Sequence, residues 1–435
     1  MSLDRLFALE TFGIKLGLQN IERLCEALGH PQRSFTTLHI AGTNGKGSVT
    51  AMTHGALVAS GVHAARYISP HLSDLSERFV IGRAPVDAET LEAVADDVLE
   101  LAERLRTDGI LTVTPTFFEV TTAMAFEMFR RAGVEVAVIE VGLGGRYDAT
   151  NVVTPIAGAI TTIGMDHQQH LGSTLAAIAG EKAGIIKTGM TVVTGELPLD
   201  ALAVVRRAAD DRGAELIEAA RDVQVDAAME DGRARLVLRT PAGAYGPVRL
   251  ALRGAHQVGN ALIAVRLLEA ARRGGVAVTR SALEEGLAST EWPGRLELLT
   301  LENGRRVLID AAHNADGARA LAAYLKRWHP ERPILVISVM RDKDVDDILE
   351  LLLPATSDVV TTQAPSPRAL PAAELAGRVA DLQSRLGTGG SVVAVADPTQ
   401  AVADALERTD VVCIAGSIFL AGAVRDGLKR RAILH

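Results

Sequence analysis

Thr37-Leu38-His39-Ile40-Ala41 reads as a short buried strand that runs straight into Gly42-Thr43-Asn44-Gly45-Lys46-Gly47-Ser48. An apolar helix is expected from Val49 to about Ser60, closed by Gly61. Strand, glycine loop and helix in this order open a parallel α/β sheet, which excludes all-helical and all-antiparallel folds for this part of the chain. Backbone N–H groups turned inward by glycine, next to a helix N-terminus, make a cradle for phosphate oxygens. Lys46 would place a point charge on the β- and γ-phosphates, and Ser48 would reach Mg2+. The loop departs from the ordinary Walker pattern at two points. Ile40 stands where the first glycine would fall, and Gly47 separates the lysine from the hydroxyl residue. A plain glycine-rich turn is the alternative; the flanking strand and helix favour phosphate.

The rest of the composition narrows the partners. Of 435 residues, 48% are hydrophobic and 23% charged, which is globular usage. The net charge of −8 and only 3% aromatic residues speak against a nucleic-acid-coating surface or a base-stacking platform. Anionic ligands must then be held by a local site. Cys25 and Cys413 are too few for a disulfide framework, and Met1 to Arg5 shows no secretory pattern. The apolar run Val411 to Val424 is too short to span a bilayer. A cytoplasmic protein is expected, with no nucleic-acid or membrane partner.

Further buried strands are expected at Val134–Val141 and Ala157–Ile163, with helices at Glu119–Arg131 and Thr174–Ile186. From about Asp222 to Leu252 the alternation predicts a small antiparallel excursion. After Trp292-Pro293-Gly294 a second α/β series begins, with strands at Val307–Asp310, Ile334–Ser338, Val359–Thr362, Val392–Val395 and Val411–Ala415. The expected fold is α/β: a P-loop ATPase-type sheet domain over residues 1–291, then a smaller Rossmann-like doubly wound domain over 292–435.

Two strand ends carry candidate chemistry. Glu140 closes a buried strand, where open α/β sheets place ligands, and is either a Mg2+ ligand or the cap of the next turn. Asp166-His167 follows the next strand, so His167 is a candidate on the same sheet edge, with Mn2+ expected to substitute for Mg2+. A lone histidine is usually structural, and His170 reads as a surface residue. Gly142-Leu143-Gly144-Gly145 fails as a dinucleotide motif because Tyr147 takes its last glycine position. On physics alone, Glu181-Lys182 reads as a solvated charged pair.

Taken together, His39-Ile-Ala-Gly-Thr-Asn-Gly-Lys-Gly-Ser48, Ser69-Pro-His-Leu72 with Glu77-Arg78, Glu140-Val-Gly-Leu-Gly-Gly-Arg146 and Asp148-Ala-Thr-Asn151 resemble the folylpolyglutamate synthase and dihydrofolate synthase family of Mur-type amide ligases. Asp166-His167, Glu181-Lys-Ala-Gly184, Trp292-Pro-Gly-Arg295, Asp310-Ala-Ala-His-Asn314, Met340 with Asp342-Lys-Asp344, Arg368-Ala-Leu-Pro371 and Gly416-Ser417 continue the resemblance in order to the end of the chain. Two departures stand out. Ala311 and Ala315 replace the glycine and the proline of the family's Asp-Gly-Ala-His-Asn-Pro, and Phe419 replaces its tyrosine.

The resemblance implies ATP-dependent addition of L-glutamate to a folate or dihydropteroate carboxylate through an acyl phosphate. It implies that Gly42, Thr43, Asn44, Gly45, Lys46, Gly47 and Ser48 hold the triphosphate. It also implies two Mg2+ ions, one on Ser48 and Glu140 and one on Ser69, Glu140 and His167. Lys46, Lys182, His167 and Glu140 are the catalytic set it implies, with Lys182 carbamylated. Asn260, Arg295, Asp310 and His313 are expected to close on ATP, and the second domain to bind glutamate. A monomer is expected. The competing readings are a Mur ligase acting on a peptidoglycan precursor and, from another class, a nucleotide-dependent binding switch. The switch lacks the Asn-Lys-x-Asp guanine reader.

Overall fold

The computed structural model describes residues 2–13 and 17–431. By chain contacts it divides into two compact units. The first comprises Met1–Asp226, Leu236–Val248 and Gly259–Thr290, the second Ala227–Arg235, Arg249–Val258 and Glu291–His435. No helix among the described residues is long and apolar enough to cross a membrane.

An eight-stranded sheet organises the first unit. Its strands are β1 (Thr36–Ala41), β2 (Ala64–Tyr67), β3 (Phe79–Ile81), β4 (Ala84–Pro85), β5 (Val136–Glu140), β6 (Ala157–Ile160), β7 (Thr191–Thr194) and β8 (Glu215–Glu218), in the order β4-β3-β2-β5-β1-β6-β7-β8. The six strands from β2 to β8 in that order run parallel, and β3 and β4 add an antiparallel edge. β1 and β5 are buried almost throughout, as a parallel sheet covered on both faces requires. One face packs Tyr67, Phe79, Ala137 and Ile139 against Val98, Val120, Phe126 and Phe129 of the helices Ala88–Thr107 and Phe117–Arg131. The second of these helices is fixed at its start by a capping box between Thr116 and Glu119.

The chain between the two α/β series forms β9 (Gln224–Glu230), β10 (Arg233–Thr240) and β11 (Gly243–Arg253), a three-stranded sheet whose residues divide between the units. In the second unit, β12 (Glu297–Thr300), β13 (Arg306–Ile309), β14 (Ile334–Ile337), β15 (Val359–Thr361), β16 (Val392–Ala394) and β17 (Val411–Ala415) form a six-stranded sheet in the order β12-β13-β17-β14-β15-β16. The five expected strands are parallel. The sequence reading missed β12, which pairs antiparallel with β13 at the sheet's edge. Its residues are only half-buried, so it carries no strong apolar run.

Two boundaries differ from the sequence expectation for a reason that bears on the site. The helix after β1 begins at Lys46 rather than Val49 and runs to Ala59, because Gly45 adopts a left-handed conformation (φ 85°) at its N-cap. β6 ends at Ile160; Thr161 N still donates to Ala41 O of β1 at 2.9 Å, and the Thr161 and Thr162 hydroxyls turn onto the glycine loop.

Candidate active site

Four neighbouring strands of the first sheet deliver their C-terminal ends to one edge. In spatial order β2, β5, β1 and β6 bring Ser69, Glu140, the loop Gly42–Ser48, and Asp166-His167 to it. Parallel sheets collect ligands at this edge, because each strand's following loop opens there. The convergence of these distant segments is a tertiary fact.

The loop is braced from β6. Thr43 N donates to Thr162 O at 2.8 Å, and Asn44 N donates to Thr162 Oγ1 at 2.9 Å. Thr161 Oγ1 donates to Asn44 O at 2.6 Å, while Thr43 Oγ1 accepts from Gly164 N at 3.0 Å. Gly42 (φ 149°) lies so close to this brace that a Cβ there would collide with Thr161 Oγ1. A Cβ on Gly45 would come within 2.5 Å of Asn260 Oδ1, so Asn260 lies directly on the loop. These approaches leave room only for backbone, which is the requirement of a phosphate cradle.

Two lysines meet at the glycine loop. Lys46, the first residue of the helix and partly buried rather than solvent-facing, donates to Gly42 O at 3.1 Å and Thr43 O at 3.2 Å. Lys182 Nζ donates to the same Gly42 O at 2.8 Å. The reading of Glu181-Lys182 as a solvated pair is therefore wrong. Lys182 is 4% exposed, and burial together with the Lys46 charge pushes its ammonium down to about 7, against the pull of Asp166 and Asp148.

The remaining motifs aim that lysine. Arg146 N donates to Glu181 O at 2.8 Å, and its guanidinium pairs with the Glu181 carboxylate at 3.2 Å. Asn151 Nδ2 donates to Arg146 O and Gly184 O. Asp148 is fully enclosed and accepts from Leu143 N and Thr150 N; burial raises its pKa. The failed dinucleotide motif is thus a structural loop, clamped between Asp148 and the end of the helix Leu175–Ala183.

Glu140 and Ser48 are 5% and 4% exposed. Ser69 lies in the loop that Glu77 organises by accepting from Leu72 N, Ser73 N and Asp74 N. His167 holds a left-handed conformation (φ 50°) beside Asp166 and is about one-third exposed. No three His, Cys, Asp or Glu side chains form a metal-binding group among the described residues. Ser48, Ser69 and Glu140 nevertheless supply hard oxygen donors at one edge. Mg2+, which keeps waters and substrate phosphates in its shell, suits so sparse a protein donor set.

In the second unit, Asp310 follows β13 and is buried. Its carboxylate accepts from Leu296 N at 2.8 Å and Ala312 N at 2.9 Å, pinning the Trp292–Arg295 turn to the strand end. Burial raises the Asp310 pKa and Arg295 opposes the shift. Arg295 also helps burial hold His256 neutral, its pKa lowered to about 4. His313 sits one turn on, its Nδ1 2.9 Å from Ala311 O. Ala311 is not in the left-handed region, so the turn takes alanine without strain. Phe419 is 39% exposed, and nothing in the structure assigns it a role.

The sequence reading missed the bracing pair Thr161-Thr162. Its signal was two adjacent hydroxyl residues at the end of an otherwise apolar strand.

The comparisons agree with this architecture. The Mur ligase middle domain model matches residues 93–268, and the Mur ligase glutamate ligase domain model matches 294–418. The dihydrofolate synthase/folylpolyglutamate synthase of Mycobacterium tuberculosis is 38% identical over 444 residues, covering 94% of this chain and 89% of that protein. A probable bifunctional folylpolyglutamate synthase/dihydropteroate synthase of Haloferax volcanii is 35% identical over 99% of this chain, which spans about half of that protein's length (51%). The Mycobacterium tuberculosis folylpolyglutamate synthase solved with ADP and AMPPCP superposes with a TM-score of 0.90 at 34% identity, covering 100% of both chains.

Proposed function

Because the chain belongs to the folylpolyglutamate synthase/dihydrofolate synthase family of Mur ligases, we propose that it uses ATP to join L-glutamate to the carboxylate of a folate or of dihydropteroate. The observation that carries this reading is the single sheet edge holding the phosphate cradle, two lysines on Gly42 O, a buried Glu140, and Ser69 and His167.

In this reading the acceptor carboxylate attacks the γ-phosphorus of ATP, and ADP leaves. The glutamate amine then adds to the acyl phosphate carbonyl, loses its proton, and expels inorganic phosphate. A carboxylate is a poor electrophile, so catalysis rests on positioning and charge neutralisation. Gly42 to Ser48 hold the phosphates by backbone N–H groups, and Lys46 turns from the loop carbonyls to the transferring phosphoryl group. Ser48 with Glu140, and Ser69 with Glu140 and His167, would hold two Mg2+ ions, which neutralise phosphate charge when bound; Mn2+ would substitute. Asn260 lies against Gly45 and is assigned to the nucleotide. Arg295, Asp310 and His313 of the second unit are also assigned to ATP, and the domain expected over residues 292–435 to glutamate.

Lys182 acts as its carbamate. An amine held near neutrality by burial and by Lys46 has a nucleophilic free base available to CO2, and carbamylation turns a cation beside the metals into an anion. We further propose a cytoplasmic monomer with no nucleic-acid or membrane partner.

The test uses purified protein, ATP, Mg2+ and labelled glutamate, with dihydropteroate, a reduced folate and a UDP-sugar peptide supplied separately. Glutamate incorporation with a pteridine acceptor, matched by phosphate release, supports the reading. Incorporation with the UDP-sugar peptide alone would make the chain a peptidoglycan-precursor ligase, and nucleotide binding with no ligation would make it a switch.

A further inference from the structure

Arg66 is a partly buried cation that the reaction scheme above leaves unused. It lies on β2 in register with Val138 of the adjacent β5, so Arg66, Val138 and Glu140 share one face of the sheet. Their neighbours Ala65, Tyr67, Ala137 and Ile139 face the opposite core. With about 4.8 Å between strands and about 6.6 Å along two residues, the Arg66 and Glu140 Cα atoms are about 8 Å apart, within reach of an arginine side chain. The helix Lys46–Ala59 packs over both strands and encloses this face.

The groups around Arg66 leave Glu140 as its countercharge. His54 on the covering helix is 4% exposed and is held neutral by burial and by Arg66 itself. Burial lowers the Arg66 guanidinium to about 10, and Glu140 opposes the shift. Arg78 also feels Glu140, but its Nε donates to His71 Nδ1 at 2.9 Å and its guanidinium lies over the Phe117 ring.

We propose that Arg66 is a positioning residue that competes with divalent metal for the Glu140 carboxylate, so that the site takes up metal together with nucleotide rather than alone. This rests on Glu140 being a metal ligand. A guanidinium and a metal ion seek the same carboxylate oxygens, and a partly buried cation beside the site repels the metal as well. The nucleotide's phosphates would supply the negative charge that tips the competition.

The test is Mn2+ binding followed by electron paramagnetic resonance, with and without a non-hydrolysable ATP analogue, on the intact protein. R66M is expected to bind Mn2+ about five-fold or more tightly without nucleotide, with a smaller change when the analogue is present. R66K, which keeps the charge, should stay close to the parent protein. Unchanged or weaker Mn2+ binding by R66M, alongside weakened binding by E140Q, overturns the role of Arg66 alone. Unchanged binding by E140Q overturns the Glu140 reading beneath it. If R66M melts below the assay temperature, R66Q removes the charge while keeping polarity and is read in the same way.

Discussion

Lys182 Nζ and the carbonyl oxygen of Gly42, 140 residues apart in the chain, are joined by a 2.8 Å hydrogen bond. This bond ties the end of the helix Leu175–Ala183 to the first residue of the glycine loop. Lys46 converges on the same oxygen, so a partly buried and a buried lysine amine share one acceptor.

Lys182→Ala is expected to be nearly inactive yet to bind the ATP analogue at the cradle. Acetate or formate at high concentration should restore part of the turnover, by occupying the space of the carbamate, and chloride at matched ionic strength should not. A fully active variant would return Lys182 to a structural role.

The same residue predicts a pH signature of stability. Its folded pKa of about 7 lies below the unfolded value of 10.5, so the unfolded chain binds more protons between these limits. Lys182 therefore lowers stability below about pH 7, and that cost is relieved as pH rises toward 10.5. The slope from one such proton is at most about 1.4 kcal/mol per pH unit. Chemical denaturation in bicarbonate-free buffer should show a stability difference between the parent and Lys182→Met that shifts in the parent's favour as pH rises through this window. A pH-independent difference would mean that the amine is not buried as described.

Lys46→Ala should abolish ligation with the fold retained, since its contacts are two loop carbonyls and not apolar packing. Losing a charge-assisted contact to a phosphoryl group in transfer costs on the order of 3 kcal/mol or more. Steady-state turnover at saturating ATP measures it, and near-normal turnover refutes it.

Gly42→Ala should weaken binding of the ATP analogue at least about ten-fold and lower the melting temperature. The added methyl meets Thr161 Oγ1 and the backbone conformation there suits only glycine. Calorimetric titration of this variant and of a Gly42→Ala/Thr161→Ala double variant separates the two causes. Relief in the double variant assigns the loss to collision, and no relief assigns it to backbone strain.

Asp310→Ala should destabilise the second unit by about 2–4 kcal/mol, because two buried N–H groups, of Leu296 and Ala312, lose their acceptor. Asp310→Asn, which keeps one acceptor oxygen, should lose about half as much. Denaturant titration followed by the Trp292 and Trp328 fluorescence reads both.

The sequence by itself determined the α/β class of the two large sheets, because buried apolar strands alternating with helical patterns leave few other ways to satisfy the backbone. The strand, glycine loop and helix around Gly42 to Ser48, contiguous in the chain, were legible in it as well. The short strands β2, β3, β4, β7 and β8 and the half-buried edge strand β12 escaped it, since two to four residues carry no strong pattern of their own. Only the tertiary structure decided that Lys182 is a buried amine rather than a solvated charge, and that Arg66 shares a face with Glu140. Burial and charge at those positions come from strands and helices packed from far along the chain, and spacing within one segment carries no record of them.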